Sequence, residues 1–376
     1  MTAARGKVKA VISLSSVVNN YQTLCKASGQ RIIPVVKSDA YGHGLLEVTD
    51  ALAQAGATAF AVGSVAEGIR LRKHNPFCTI LSLLGPVEHY EYQALWEADI
   101  LGFIHCFEQL DAIAACAPSL PRELRIALKF DTGMRRLGFT LSDIPALCSR
   151  IQAMPQVHVT MVTSHLAVSD DPETEGFTRM QAAAFEAIRT ALLARGFLFD
   201  SSISNSAATL AYPELGYQQQ RAGITLYGVN PLWGTKYAHR CGDLQPAMSV
   251  KSIVLSVHAL SAGQVIGYGC AFTARRDMSV AIVAAGYADG YCRKLSNTGE
   301  MCIHGKRAKI VGRISMQMTA IDVTNIPEVK AGDEVYLLGG NGKGKISIYR
   351  LSKWWDSIPA EVMNALSINS KEYVYA

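Results

Sequence analysis

Ile32-Ile33-Pro34-Val35-Val36-Lys37-Ser38-Asp39-Ala40-Tyr41-Gly42-His43-Gly44 is the stretch from which the fold is read. A run of β-type apolar residues ends abruptly in a lysine, a polar, glycine-containing loop follows, and residues 44–55 then carry apolar side chains at helical spacing. The same unit recurs through the first two-thirds of the chain. Apolar runs lie at 32–36, 59–62, 79–84, 100–104, 125–130, 157–162, 200–204 and 222–227, with amphipathic stretches such as 65–73, 108–115 and 177–194 between them. Strands alternating with helices imply parallel pairing through right-handed crossovers, and eight such units predict a closed (β/α)8 barrel of the TIM type. A doubly wound open sheet is disfavoured by the count and by the lack of a Gly-x-Gly-x-x-Gly turn after the first strand.

From about Ala238 the texture changes. Runs at 250–260, 265–269, 279–284, 301–304, 308–323 and 334–338 are β-rich and broken by turns such as Gly339-Gly340-Asn341-Gly342, with no long helical pattern before 358–366. Two domains are expected, a barrel over 1–237 and a mainly β domain over 238–376, with the opening strand 8–14 free to join the second. A chain of 376 residues, 49% hydrophobic and 18% charged, can bury two cores. The net charge of +5 is spread without a basic block, which argues against nucleic-acid and membrane partners. Nine scattered cysteines without a C-x-x-C pair argue against a disulfide framework or a zinc site and for a reducing compartment. The N-terminus lacks a long apolar core and no stretch is long enough to cross a bilayer, so a cytoplasmic protein without a metal is expected.

Barrels place chemistry at the carboxyl ends of their strands. Lys37 ends the first run, Lys129 and Asp131 the fifth, His165 follows the sixth, Asn205-Ser206 follow the seventh, and Arg221 opens the eighth. Helix capping or solvation accounts for any one of these; for all of them together that account is strained. A lysine at the end of a buried strand has a partly dehydrated amine, which lowers its pKa and makes it both a nucleophile towards aldehydes and a usable base. Loops after strands seven and eight commonly hold a phosphate. Here they offer the hydroxyls of Asn205-Ser206-Ala207-Ala208-Thr209 and the close backbone approach allowed by Gly223 in Arg221-Ala222-Gly223-Ile224.

The segment Val36 to Gly44 closely resembles the pyridoxal-phosphate (PLP) lysine segment of alanine racemases. Lys129-Phe130-Asp131-Thr132-Gly133-Met134-Arg135-Arg136-Leu137-Gly138 is similar to the Lys-x-Asp-Thr-Gly-Met-x-Arg-x-Gly of that family, and motifs in both domains extend the resemblance over nearly the whole chain. It implies that Lys37 holds PLP and serves as one base. Tyr41, Ser206 and the Gly223 and Ile224 amides would meet the phosphate, with Asn205 beside them. Arg136 would bond the cofactor's phenolic oxygen and the substrate carboxylate, His165 would lie against the ring, and Arg221 would face the ring nitrogen. Lys129 matches a lysine that is carbamylated in some members. Val265-Ile266-Gly267-Tyr268-Gly269-Cys270 matches the segment bearing the second base, Tyr268, which the family supplies across a homodimer with shared sites. Gly286-Tyr287-Ala288-Asp289-Gly290 and Ile314-Ser315-Met316 imply substrate contacts from Tyr287 and Met316.

Two departures bear on substrate preference. Met316-Gln317 stands where the family usually has Met-Asp, and Asn369-Ser370-Lys371-Glu372 where it often has Arg-Val-Pro-Arg. The resemblance therefore implies a PLP-dependent racemase of L- and D-alanine, with a racemase preferring serine or a broader set of amino acids as the alternative. Barrel-type PLP decarboxylases share the two-domain plan, but they typically carry a carboxylate where Arg221 stands. Single-barrel PLP carriers lack the domain that bears Tyr268.

Overall fold

The computed structural model describes residues 6–116 and 123–375. Residues 1–5, on which the reading of the N-terminus bears, lie outside the described residues. The chain forms two compact units, one of Ser16–Ala40 with Leu45–Gln245 and the other of residues 6–15, Tyr41–Gly44 and 246–375.

The first unit is a barrel of eight parallel strands. They are Arg31–Pro34, Ala59–Val62, Thr79–Ser82, Ile100–Ile104, Leu124–Lys129, Val157–Thr163, Asp200–Ser202 and Gln219–Ala222. Strands two to seven pair in order. The first pairs with the eighth from Arg31 opposite Gln219 to Pro34 opposite Ala222. The ring closes through the bridge between Val35 and Ala61 and through the Arg221 N–H, which donates to the Ser204 carbonyl at 3.1 Å. Ala59–Val62 and Ile100–Ile104 are buried at every position, because strands of a parallel sheet are covered by barrel core on one face and helices on the other. Outside the second and third strands, helix Val65–His74 starts on a capping box formed by Ser64 and Glu67 and ends in Arg72-Lys73-His74, whose charges suit the helix dipole.

The eighth strand corrects the sequence reading. An apolar run at 222–227 predicted it there, yet Ile224–Tyr227 is a 3₁₀ helix and the strand is the polar segment just before it. Gln219, Gln220 and Arg221 are all buried, so the strand is set by its place in the ring and not by apolar pattern. Arg221 consequently lies near the carboxyl end of its strand and does not open it. Beyond this strand the unit runs on to Gln245. Arg240 donates to the Ala211 carbonyl at 2.7 Å and the Cys241 thiol to Asn230 Oδ1 at 2.7 Å, which tie the segment after Ala238 to the barrel unit.

The second unit is built on an eight-stranded sheet. Its long strand Met248–Leu260 bends at a bulge between Val254 and Ser256, and so pairs with Glu334–Leu338 and Lys9–Ser13 along one half and with Met278–Val283 along the other. Lys9–Ser13 also pairs in parallel with Ser370–Val374, so the opening strand is part of this sheet. The β-rich run 308–323 is in fact two strands, Lys306–Lys309 and Thr319–Asp322, with a loop between them turned at Gly312. A helix at Ile348–Trp355 precedes the expected one at Pro359–Leu366. It is capped by Ser347 and stopped by Asp356 in the left-handed region.

Candidate active site

Each barrel residue singled out in the sequence lies at or just beyond the carboxyl end of a strand. After Val36 the backbone turns left-handed for four successive non-glycine residues, with φ of 55°, 53°, 56° and 53° at Ser38, Asp39, Ala40 and Tyr41. Such geometry costs roughly 1–2 kcal/mol per residue and persists only where neighbours hold it. The Ala40 N–H donates to the Val36 carbonyl at 2.8 Å, the Ser38 N–H to Glu67 Oε1 at 2.7 Å, and the Leu45 N–H to Asp39 Oδ1 at 2.9 Å. The turn aligns Lys37 at the barrel mouth. Burial lowers the Lys37 amine from the usual lysine range and the Arg136 charge lowers it further, while the Glu67 carboxylate opposes both.

The fifth strand ends in Lys129, which is 8% exposed. The loop beyond it is pinched shut where the Asp131 N–H donates to the Phe139 carbonyl and the Phe139 N–H to the Lys129 carbonyl, both at 2.9 Å. Asp131 Oδ1 accepts from the Gly133 and Arg135 amides and rounds the turn that presents Arg136. Gly138, at φ +135°, permits the pinch, because a Cβ there would lie 2.4 Å from the Asp131 nitrogen. Burial, and after it the charges of Arg221 and Arg136, hold the Lys129 amine well below its ordinary pKa; Asp131 is the opposing charge.

Arg221 is buried with both terminal nitrogens of its guanidinium engaged. It donates to the Ser202 carbonyl at 2.9 Å and hydroxyl at 2.5 Å, to the Ser164 carbonyl at 2.6 Å, and approaches His165 Nδ1 at 3.5 Å. Burial lowers it to about 10, so it stays charged at neutral pH. His165 is pushed well below the ordinary histidine range by burial and then by Arg221, Lys129, Arg136 and Lys37. One neutral imidazole therefore stands among four basic groups. Lys129, Asp131, Arg136 and His165 line a pocket with Met134 and Ser164.

The loops after strands seven and eight meet where the Gly223 N–H donates to Ser206 Oγ at 2.8 Å. Ile224 opens a short helix whose first amides have no acceptor within it. Asn205 has both ends of its amide taken by the protein: Oδ1 accepts from the Ala208 N–H and the Ser169 hydroxyl, and Nδ2 donates to the Leu166 carbonyl. Its part is to hold the loop.

Tyr41 falls in the second unit, its carbonyl 3.1 Å from His43 Nδ1 and its phenol pushed up to about 12 by burial. Gly42 packs so tightly that a Cβ would lie 2.3 Å from Ser367 Cβ. Tyr268, 68% exposed, starts a tight turn in which Gly269 lies against the Arg313 guanidinium. Tyr287 and Met316 are brought together on adjoining loops, where the Tyr287 N–H donates to the Ser315 carbonyl and the Ala288 N–H to the Met316 carbonyl. Asn369 Nδ2 donates to the Asp289 carbonyl at 2.9 Å and so steadies the turn that carries Tyr287.

Three supporting residues escape a reading by sequence pattern. Glu67 had a signal, the Ser64-x-x-Glu67 capping box. Gln181, fully buried on helix Glu175–Leu193, accepts from the Ala167 N–H at 2.9 Å and donates to the His165 carbonyl at 3.1 Å; a lone glutamine on an apolar helix face carries no such signal. Arg313 likewise has none.

Fold and site together define a barrel protein that gathers a lysine amine of lowered pKa, four cationic or basic groups and a small-residue loop pair. Residues 12–231 match the family model for the alanine racemase N-terminal domain and residues 247–374 that for the C-terminal domain. The chain belongs to the alanine racemase family. It is 46% identical over 374 residues to an alanine racemase of Nitratidesulfovibrio vulgaris, covering 99% of this chain and 100% of that one. Among solved structures it is similar to the biosynthetic alanine racemase from Pseudomonas aeruginosa, with 32% identity, a TM-score of 0.86 and coverage of 98% and 99%. The alanine racemase from Bartonella henselae, solved with covalently bound pyridoxal phosphate, has 26% identity, a TM-score of 0.88 and coverage of 98% and 100%.

Proposed function

We propose that the chain is a PLP-dependent amino-acid racemase that interconverts L- and D-alanine. The observation that carries this reading is the neutral His165 among Arg221, Lys129, Arg136 and Lys37. A cluster with that excess of positive charge suits a ligand bearing a phosphate and a phenolate together with a substrate carboxylate. The residues fit the cofactor. Lys37 has the amine, the Ser206 hydroxyl and the Ile224 amide have donors for a phosphate beside the Gly223 N–H that Ser206 Oγ now holds, and Arg136 and the Arg221 Nε–H would serve the phenolate and the ring nitrogen. When bound, PLP supplies an aldehyde that condenses with amines and a conjugated ring that takes up the electron pair left on the α-carbon.

Lys37, whose pKa is lowered by burial and by the Arg136 charge, moves a proton at Nζ on one face of the α-carbon. Tyr268 moves one at Oη on the other. Arg221 keeps its proton, so it holds the ring nitrogen as an acceptor and limits how strongly the ring draws electrons. Lys129, buried and with its amine held well below the ordinary lysine pKa, is suited to take up carbon dioxide as a carbamate. That would return a negative charge to the side of Arg136. Tyr287 and Met316 border the substrate, and Gln317 there replaces the carboxylate of the family pattern with a neutral amide.

Tyr268 comes from a second copy of the chain in a homodimer with shared sites; the exposure of Tyr268, Tyr287, Met316 and Met318 on the β unit supports this. No helix among the described residues is long and apolar enough to cross a membrane, and nine free cysteines suit the cytoplasm.

The test is incubation of protein and PLP with L-alanine in deuterium oxide, following optical rotation and deuterium at the α-carbon. Racemisation with incorporation is expected; incorporation without racemisation would mean that one face alone is served. Lys37→Ala is expected to lose both the yellow colour after dialysis and the activity. Mixing inactive Lys37→Ala and Tyr268→Phe proteins should restore about a quarter of the activity if sites are shared across a twofold dimer, and none if they are not. A panel of L-amino acids separates alanine from serine preference.

A further inference from the structure

We infer that Glu67 is a positioning residue for Lys37, clamping the backbone on which the lysine is mounted and bringing a carboxylate to the base of its side chain. The inference rests on the reading of Lys37 as the reactive lysine of a racemase. Glu67 projects from the first turn of helix Val65–His74 and its two oxygens do different work. Oε1 accepts from the Ser38 N–H at 2.7 Å, the peptide that immediately follows Lys37 and begins the left-handed turn. Oε2 accepts from the Gly63 N–H at 2.7 Å and the Ser64 N–H at 3.3 Å, at the end of the second barrel strand. One carboxylate thus links the carboxyl ends of the first two strands.

The link is close-packed. A Cβ at Gly63 would lie 3.0 Å from Glu67 Oε2 and 3.4 Å from Lys37 Cβ, so a glycine there lets the carboxylate reach the lysine's base. The left-handed turn needs external support, and the Ser38 amide receives it from Glu67. The other charged and titratable groups around Lys37 are unevenly distributed. Arg136 and His165 face it from the fifth- and sixth-strand loops, and Asp39 is paired with Arg70 at 3.7 Å. Glu67 is the carboxylate that opposes Arg136 at the amine, which keeps the amine from losing its proton too readily for return to the α-carbon.

The experiment compares wild type with Glu67→Gln, which preserves shape but removes the charge and one acceptor. Lys37 in the PLP-free protein is titrated by trace labelling with acetic anhydride and peptide mass spectrometry across pH, and kcat and KM for L-alanine are measured with PLP. The expected result is a Lys37 pKa lower by about half a unit or more and a kcat lower by roughly tenfold or more, with KM little changed. An unchanged Lys37 titration overturns the inference, whatever happens to the rate, because a purely structural role would slow the enzyme without moving the amine. Should the glutamine variant not fold, Glu67→Asp carries the test. It keeps the charge and shortens the reach, so Lys37 is expected to titrate as in wild type while kcat falls; a full rate would overturn the clamp. If wild type itself does not racemise alanine, the reading of the site fails, and the labelling still decides whether Glu67 controls the amine.

Discussion

His165 is expected to remain uncharged throughout the pH range in which an ordinary histidine takes up a proton. Burial removes the solvation its cation would need, and Arg221, Lys129, Arg136 and Lys37 all repel that cation. The sign of the linked stability effect follows. The unfolded chain binds a proton at His165 near pH 6.5 and the folded chain does not, so between those states acidification favours unfolding. If the folded group stays neutral to pH 5, lowering the pH from 7 to 5 removes about 2 kcal/mol of stability through this one residue. Selective ¹³C labelling of histidine, with the His165 signal assigned by its absence in His165→Asn, reads the protonation state directly. The linked effect is read from the urea midpoint of the PLP-free protein, where wild type should lose more stability than His165→Asn over the same interval. Arg221→Gln should move the His165 titration upward, since the foremost of the repelling charges is gone. A His165 signal that titrates near pH 6.5 in wild type, with parallel stability curves for the two proteins, would refute the reasoning.

Gly138→Ala should cut activity at least about tenfold, because its Cβ would lie 2.4 Å from the Asp131 nitrogen and the loop presenting Arg136 could not close; kcat/KM and circular dichroism separate this from unfolding. Arg72→Ala should destabilise the barrel by about 2–4 kcal/mol without altering KM, since its guanidinium donates to the carbonyls of Pro76, Cys78, Ala98 and Asp99, away from the site; thermal melts check it. Asn369→Ala frees the turn bearing Tyr287 from its tie to the Asp289 carbonyl, and should raise KM for L-alanine by a fewfold while leaving PLP binding intact.

The alternation of apolar runs with helical spacing was enough to specify the barrel, because strands buried on both faces must be apolar and the crossovers between them must be helices. It failed at the eighth strand, where Gln219-Gln220-Arg221 takes its place in the ring through hydrogen bonds to its neighbours and carries no apolar pattern. Lys37, Lys129, Asp131, His165, Asn205-Ser206 and Arg221 stood out because so many charged and small polar residues at strand ends are unusual, whereas Arg136 was reached only through the resemblance. What only the tertiary structure decided is how those groups act on one another. That His165 is held neutral at pH 7, that the Lys129 amine lies well below its ordinary pKa, and that Glu67 grips the peptide after Lys37 depend on distances between segments far apart in the chain. Charge and desolvation act through space, so composition and spacing along the chain carry the types of residue required while folding sets the energies between them.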